Sequence, residues 1–190
     1  MERLSFDLED FASEKDYKKF VNAVKTIVRR SPEYNTWVDY IKYTLGYKHC
    51  QLTSESSDDL TVDLHHHPIS LQNIVEIVLN NQLAKLGHTN SLQVAREVLE
   101  LHYQNNVGYV LLVRSLHEKF HNGKLAIPID IVLGNWKFII ENYQVPDEIM
   151  QTIKRYESVK VKPETWTKDN YNFVVDTLNQ VEEVTHGDVC

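Results

Sequence analysis

Tyr17, Phe20, Val21, Val24, Ile27 and Val28 recur at three- and four-residue steps and therefore share one stripe of a helix. Ser13 followed by Asp16 forms a capping box in which Asp stands where Glu or Gln is usual, and the helix ends near Arg29-Arg30. Ser31-Pro32 opens a second helix, with Pro32 tolerated in the first turn. Tyr34, Trp37, Val38, Ile41 and Leu45 carry its apolar face until Gly46 ends it. Residues 1–46 thus read as a helical hairpin.

From Tyr47 the period changes. Cys50-Gln51-Leu52-Thr53 reads as a short strand, residues 54–59 as a polar turn, and Leu60-Thr61-Val62-Asp63-Leu64 alternates as a second strand should. After Pro68, Ser70 caps a helix through Leu71, Ile74, Val75, Val78 and Leu79 that Gly87 terminates. Another helix follows from about Ser91 to Gln104. Asn105-Asn106-Val107-Gly108 is a turn signal, and Tyr109-Val110-Leu111-Leu112-Val113 is an apolar run suited to a buried segment. A short helix holds His117 and His121 and ends at Asn122-Gly123. Residues 124–190 read as further helices, with apolar positions at Trp136 to Ile140, at Ile149 and Ile153, and from Tyr171 to Val181. The pattern predicts an α+β, mainly helical chain of one domain with a small antiparallel hairpin in its middle.

Composition narrows the class. With 42% apolar and 25% charged residues over 190 positions, the chain is an ordinary globular protein able to bury one core. No apolar run is long enough to span a bilayer, and the start Met1-Glu2-Arg3-Leu4 lacks the apolar stretch of a signal peptide. The expected compartment is cytoplasmic, with no membrane partner. Cys50 and Cys190 supply neither a disulfide framework nor a four-cysteine zinc site, so histidine must carry any metal chemistry. A net charge of −7 excludes binding to nucleic acid through a blanket of positive charge.

Eight of the nine histidines lie between positions 49 and 121, five of them as His65-His66-His67 and as His117 with His121. Two histidines four apart on a helix point the same way and can offer nitrogens to one ion at roughly 2.0–2.1 Å. Along an extended strand, Val62, Leu64 and His66 fall on one face and Asp63, His65 and His67 on the other. His102 lies near the apolar face of its helix and reads as a core histidine bonded to a carbonyl. His49, His88 and His186 receive no role. Lys18, Lys19, Lys25, Arg29 and Arg30 make the first helix a second basic stretch, read as its solvated face, with a second contact surface for substrate as the alternative.

The segment from Gly108 through Tyr109-Val110-Leu111-Leu112-Val113 to His117 and His121 resembles the closing strand and helix of HNH nucleases. Val62-Asp63-Leu64-His65-His66-His67-Pro68 is similar to the opening strand of that family, where a ligand precedes the catalytic histidine and a proline follows. The resemblance covers roughly residues 47–123, with a helical insertion at 70–104. Val113 and Leu116 stand where many members place zinc-ribbon cysteines, and Gly108 stands where the family's middle Asn belongs, with Asn105 and Asn106 nearby.

The resemblance implies a ββα-metal site. His65, His117 and His121 would be the ligands of one divalent ion, a three-histidine set similar to that of the colicin-type nucleases. His66 would be the general base, and His67 the alternative base if the register shifts by one. Three imidazoles suit Zn or Ni better than Mn or Mg. Asp63 could orient a ligating ring, and Arg114 and Lys119 would flank the ion as a small positive rim for substrate phosphates. The implied activity is metal-dependent hydrolysis of nucleic acid, DNA ahead of RNA, by a phage or mobile-element protein in the host cytoplasm. The alternatives are a non-cleaving HNH-like binding or assembly protein, whose flanking helices contact a protein partner, and a purely structural metal site.

Overall fold

The computed structural model describes residues 5–11, 13–53 and 62–158. The expected polar turn at 54–59 and the apolar stripe from Tyr171 to Val181 lie outside the described residues.

Helix α1 (Glu14–Arg30) starts where the Ser13 hydroxyl accepts the Asp16 N–H at 3.1 Å and donates to the Asp16 carboxylate at 2.5 Å. Asp16 thus bonds the Ser13 hydroxyl, where the side chain of a capping box would accept the Ser13 backbone N–H. Ser31 joins two helices: its hydroxyl donates to Val28 O at 2.9 Å and accepts the N–H of Tyr34 at 3.1 Å, opening α2 (Pro32–Asp39). A π-helical turn, Tyr40–Thr44, prolongs α2 and stops before Gly46, whose φ of 74° an L side chain resists. Both helices expected before Gly46 are therefore present, joined at Ser31.

The central layer departs from the local strand pattern. Strand β2 (Val62–His66), which follows the two-residue β1 (Phe6–Asp7), pairs antiparallel with a segment more than forty residues away, Tyr109–Val113, with Val62 opposite Val113 and His66 opposite Tyr109. Gln51–Thr53 forms a turn instead of the expected strand at Cys50-Thr53. Gln51 nevertheless caps the sheet, its backbone N–H donating to Leu111 O at 2.9 Å and its side-chain oxygen accepting the Leu111 N–H at 2.8 Å. The wide pairing wins because all five side chains of Tyr109–Val113 are buried, and so are suited to an interior strand.

Between the paired strands run α3 (Leu71–Leu86), capped by Ser70 and closed by Gly87, and α4 (Ser91–Tyr103), capped by Asn90. A two-residue strand, His88–Thr89, separates them and pairs with Phe6–Asp7 near the N-terminus. After the sheet come α5 (Arg114–His121), a 3-10 turn at Ile129–Ile131, α6 (Lys137–Asn142) and α7 (Asp147–Ser158). One hydrophobic cluster joins Val24 and Val28 of α1, Trp37 of α2, Ile74 and Leu79 of α3, Val98 of α4, Leu111 of the sheet and Ile153 of α7. Each such buried side chain contributes roughly 1.5–3 kcal/mol, so the motif and its flanking helices are held by the same core. Among the described residues no helix is long and apolar enough to cross a membrane.

Gly108 sits at the entry to the closing strand. A Cβ there would lie 2.1 Å from His67 O and 2.7 Å from the Trp136 Cβ, while Gly108 O accepts the His67 N–H at 3.1 Å. The family's middle Asn would not fit at this position, because the two strand ends meet backbone to backbone. Asn105 instead holds the turn in the left-handed region, and the Asn106 side chain donates to Gln104 at 3.1 Å.

Candidate metal centre

The sheet feeds α5 directly, so the end of β2 and the first turns of α5 are neighbours. Strand alternation sends Asp63 and His65 toward that helix, and the four-residue spacing of α5 turns His117 and His121 back toward the strand. Ligand atoms of His65, His117 and His121 all lie within 4.8 Å of one another. The His65 ring meets those of His117 and His121 at 4.9 and 5.1 Å and packs against Phe120 at 4.5 Å. Two distant pieces of sequence thus deliver three imidazoles to one point. Leu116, on the opposite side of α5, is buried, as is Val113, so apolar packing occupies both positions expected to replace zinc-ribbon cysteines.

Asp63 Oδ2 lies 3.4 Å from His117 Nδ1, a long hydrogen bond in which the ring donates and Nε2 keeps its lone pair. His121 Nε2 sits 2.9 Å from that nitrogen. Burial pushes the His65 imidazole down to about 3, and the neighbouring His117, His67 and His121 rings add to the effect. His121 is lowered for the same reasons, burial first, then His117 and Arg29. Neutral imidazole is the ligating form, and burial favours it at His65 and His121.

His66 faces the other way. Its ring is 7% exposed, stacked at 6.2 Å on both Tyr34 and Trp37, and its Nε2 lies 2.8 Å from Nε2 of His102. His102 is fully buried, and its Nδ1 donates to Val98 O at 2.6 Å, the carbonyl bond expected of it. Burial holds His66 well below the ordinary imidazole range and His102 at about 4.

His67 is not brought to the cleft. Its Nε2 donates to Ile127 O at 2.9 Å, its ring packs on Phe120 and Tyr156, and burial lowers it to about 4. The alternative base is therefore a core residue, fixed on the α7 side.

An open cleft of about 870 Å³ runs over the cluster. His65, His66, His117 and His121 form its floor, Lys25 and Arg29 of α1 one wall, and Ser70 and Gln72 at the start of α3 another. Lys25 donates to Gln72 across the cleft at 3.1 Å. Arg114 and Lys119 do not line it: Arg114 pairs along α5 with Glu118 at 3.5 Å, and Lys119 lies about 200° around the helix from His117. The cations that line the cleft come from α1, the helix read as a solvated face or a second contact surface. The basic stretch of α1 was their signal in the sequence, whereas nothing there pairs His102 with His66.

Comparison with protein families matches residues 1–186 to one described as "Bacteriophage G278-like virion protein". No curated protein and no solved structure matches the chain.

Proposed function

Since the chain belongs to the bacteriophage G278-like virion protein family, we propose that it is a phage nuclease that hydrolyses phosphodiester bonds at a single divalent-metal site. The observation that carries this reading is the convergence of His65, His117 and His121 on the floor of a cleft walled by Lys25 and Arg29.

The residues fit a resident ion. Three imidazoles, two of them lowered by burial, form a borderline-soft donor set suited to Zn or Ni, and Asp63 supports His117 as carboxylates commonly support zinc-bound histidines. An ion held there would supply Lewis acidity to a phosphate oxygen. The chain's own groups divide the remaining work. Lys25 and Arg29 place the phosphate over the floor, and the adjacent His66, neutral at physiological pH, takes a proton from the attacking water. DNA is the preferred substrate.

A second reading, a metal-bearing assembly component that cuts nothing, is favoured by the virion description of the family and by how little of His66 is exposed. Plasmid DNA and RNA incubated with Mg, Mn, Ni or Zn separate the two. Cutting that is abolished in His66→Ala, with metal still bound, supports the nuclease. A wild-type protein that binds metal and leaves every substrate intact supports the assembly role. A chain that binds no divalent metal at all removes both.

A further inference from the structure

The two nitrogens shared by His66 and His102 determine where protons sit. A carbonyl only accepts, so the 2.6 Å contact with Val98 O requires the His102 proton on Nδ1. A neutral imidazole has one N–H, which leaves His102 Nε2 as a lone pair facing His66 Nε2 at 2.8 Å. The donor in that contact is then His66 Nε2–H, and the bare nitrogen of His66 is Nδ1. Trp37 and Tyr34 meet the His102 ring edge-on at 4.7 and 5.4 Å and stack on His66, so neither ring turns over without displacing aromatic neighbours.

We propose that His102, carried by the inserted helix α4 outside the ββα-metal motif, is the positioning residue that fixes His66 as its Nε2–H tautomer and presents Nδ1 to the cleft as the proton acceptor. The proposal deepens the nuclease reading and rests on it for its catalytic consequence. In the reaction, the water oxygen bonds to phosphorus, the ester P–O bond breaks, and the water proton moves to His66 Nδ1. The resulting imidazolium keeps its Nε2–H bond to His102, and the departing oxygen takes a proton from solvent. His102 touches no reacting atom. It acts as Asp or a carbonyl does behind other catalytic histidines, but without a charge.

The test has a spectroscopic and a kinetic arm, both on the full chain. In the ¹⁵N-labelled protein at pH 7.5, long-range ¹H–¹⁵N spectra should show His66 protonated on Nε2 and His102 on Nδ1. In His102→Phe, which keeps the ring and removes the acceptor, the His66 signals should move to a mixture of tautomers. Plasmid cutting by His102→Phe should fall about a hundredfold, the low end for losing a general base, with KM and zinc binding retained. His102→Gln, whose side-chain oxygen can accept, should recover part of the loss.

A wild-type His66 protonated on Nδ1, or a His102→Phe protein that cuts at the wild-type rate, overturns the proposal. If His102→Phe does not fold, the wild-type tautomer and His102→Gln still decide it. Should the wild type cut nothing while its tautomers are as stated, the nuclease reading fails and the tautomer assignment stands.

Discussion

Lowering the pH from 7.5 to 5.0 should remove a large part of this protein's stability, and the buried histidines set the size of the loss. His67 and His102 are both held at about 4 by burial, against 6.5 for a free imidazole. The unfolded chain therefore binds more protons than the folded one throughout this window, so stability is complete above about pH 6.5 and drains away as pH falls toward 4. For a shift from 6.5 to 4, linkage gives a loss of about 2 kcal/mol per ring between pH 7.5 and 5.0, or about 4 kcal/mol for the two. His65 and His66, lowered in the same direction, add to it. Total stabilities of about 5–15 kcal/mol make such a loss easy to see, and most carboxylates do not yet titrate in this range. Urea unfolding in the presence of a chelator, followed through the fluorescence of buried Trp37 and Trp136, measures it. His67→Gln keeps a donor for Ile127 O but does not titrate, and should shrink the pH-dependent loss by about 2 kcal/mol whatever it costs at pH 7.5. Equal stability at the two pH values, or an undiminished loss in His67→Gln, would refute the assignment of these rings as buried and neutral.

Gly108→Ala puts a methyl group into the backbone of His67, so the denaturation midpoint should drop by the equivalent of about 3 kcal/mol or more; a near-neutral effect would mean that the strand ends do not meet as described. Asp63→Asn should weaken zinc binding about 10- to 100-fold in calorimetric titration, with His117→Ala weaker still, while melting without metal changes little. For DNA binding, two cleft cations imply a log–log salt slope near −1.8, falling by about 0.9 in Lys25→Ala or Arg29→Ala. Arg114→Ala and Lys119→Ala should leave that slope unchanged.

Most helices were legible because their limits are chemical. Ser13, Ser31, Ser70 and Asn90 cap α1, α2, α3 and α4, and Gly87 ends α3 in the left-handed conformation that its sequence position suggested. The wrong local strand at Cys50-Thr53 has an equally physical cause. Periodicity reads neighbours, while the true partner of Val62–His66 lies beyond two helices and is selected by burial of Tyr109–Val113. The histidine cluster was visible through spacing and resemblance, as was the support of His117 by Asp63. Proximity in sequence to His117 put forward Arg114 and Lys119, and neither lines the cleft. Helix geometry turns Lys119 away and pairs Arg114 with Glu118, and a helix about ninety residues earlier supplies Lys25 and Arg29.

Helices α3 and α4, which lie between the two paired strands, add groups to the site that the strands and α5 do not carry. A ββα-metal unit alone would supply His65, His66, His117 and His121, but not the partner of His66 nor the walls of the cleft. The start of α3 lines the cleft and bonds to Lys25, α4 carries His102, and α1 packs on both helices and brings Lys25 and Arg29 to the cleft that His65, His117 and His121 line. That arrangement also answers the difficulty posed by a net charge of −7. A polyanion is repelled by the molecule as a whole, so association depends on the few places where cations line a concave surface and the field is concentrated. On the proposed nuclease reading, contact with a phosphate backbone would centre on the groove that holds the histidines, where Lys25 and Arg29 line the surface.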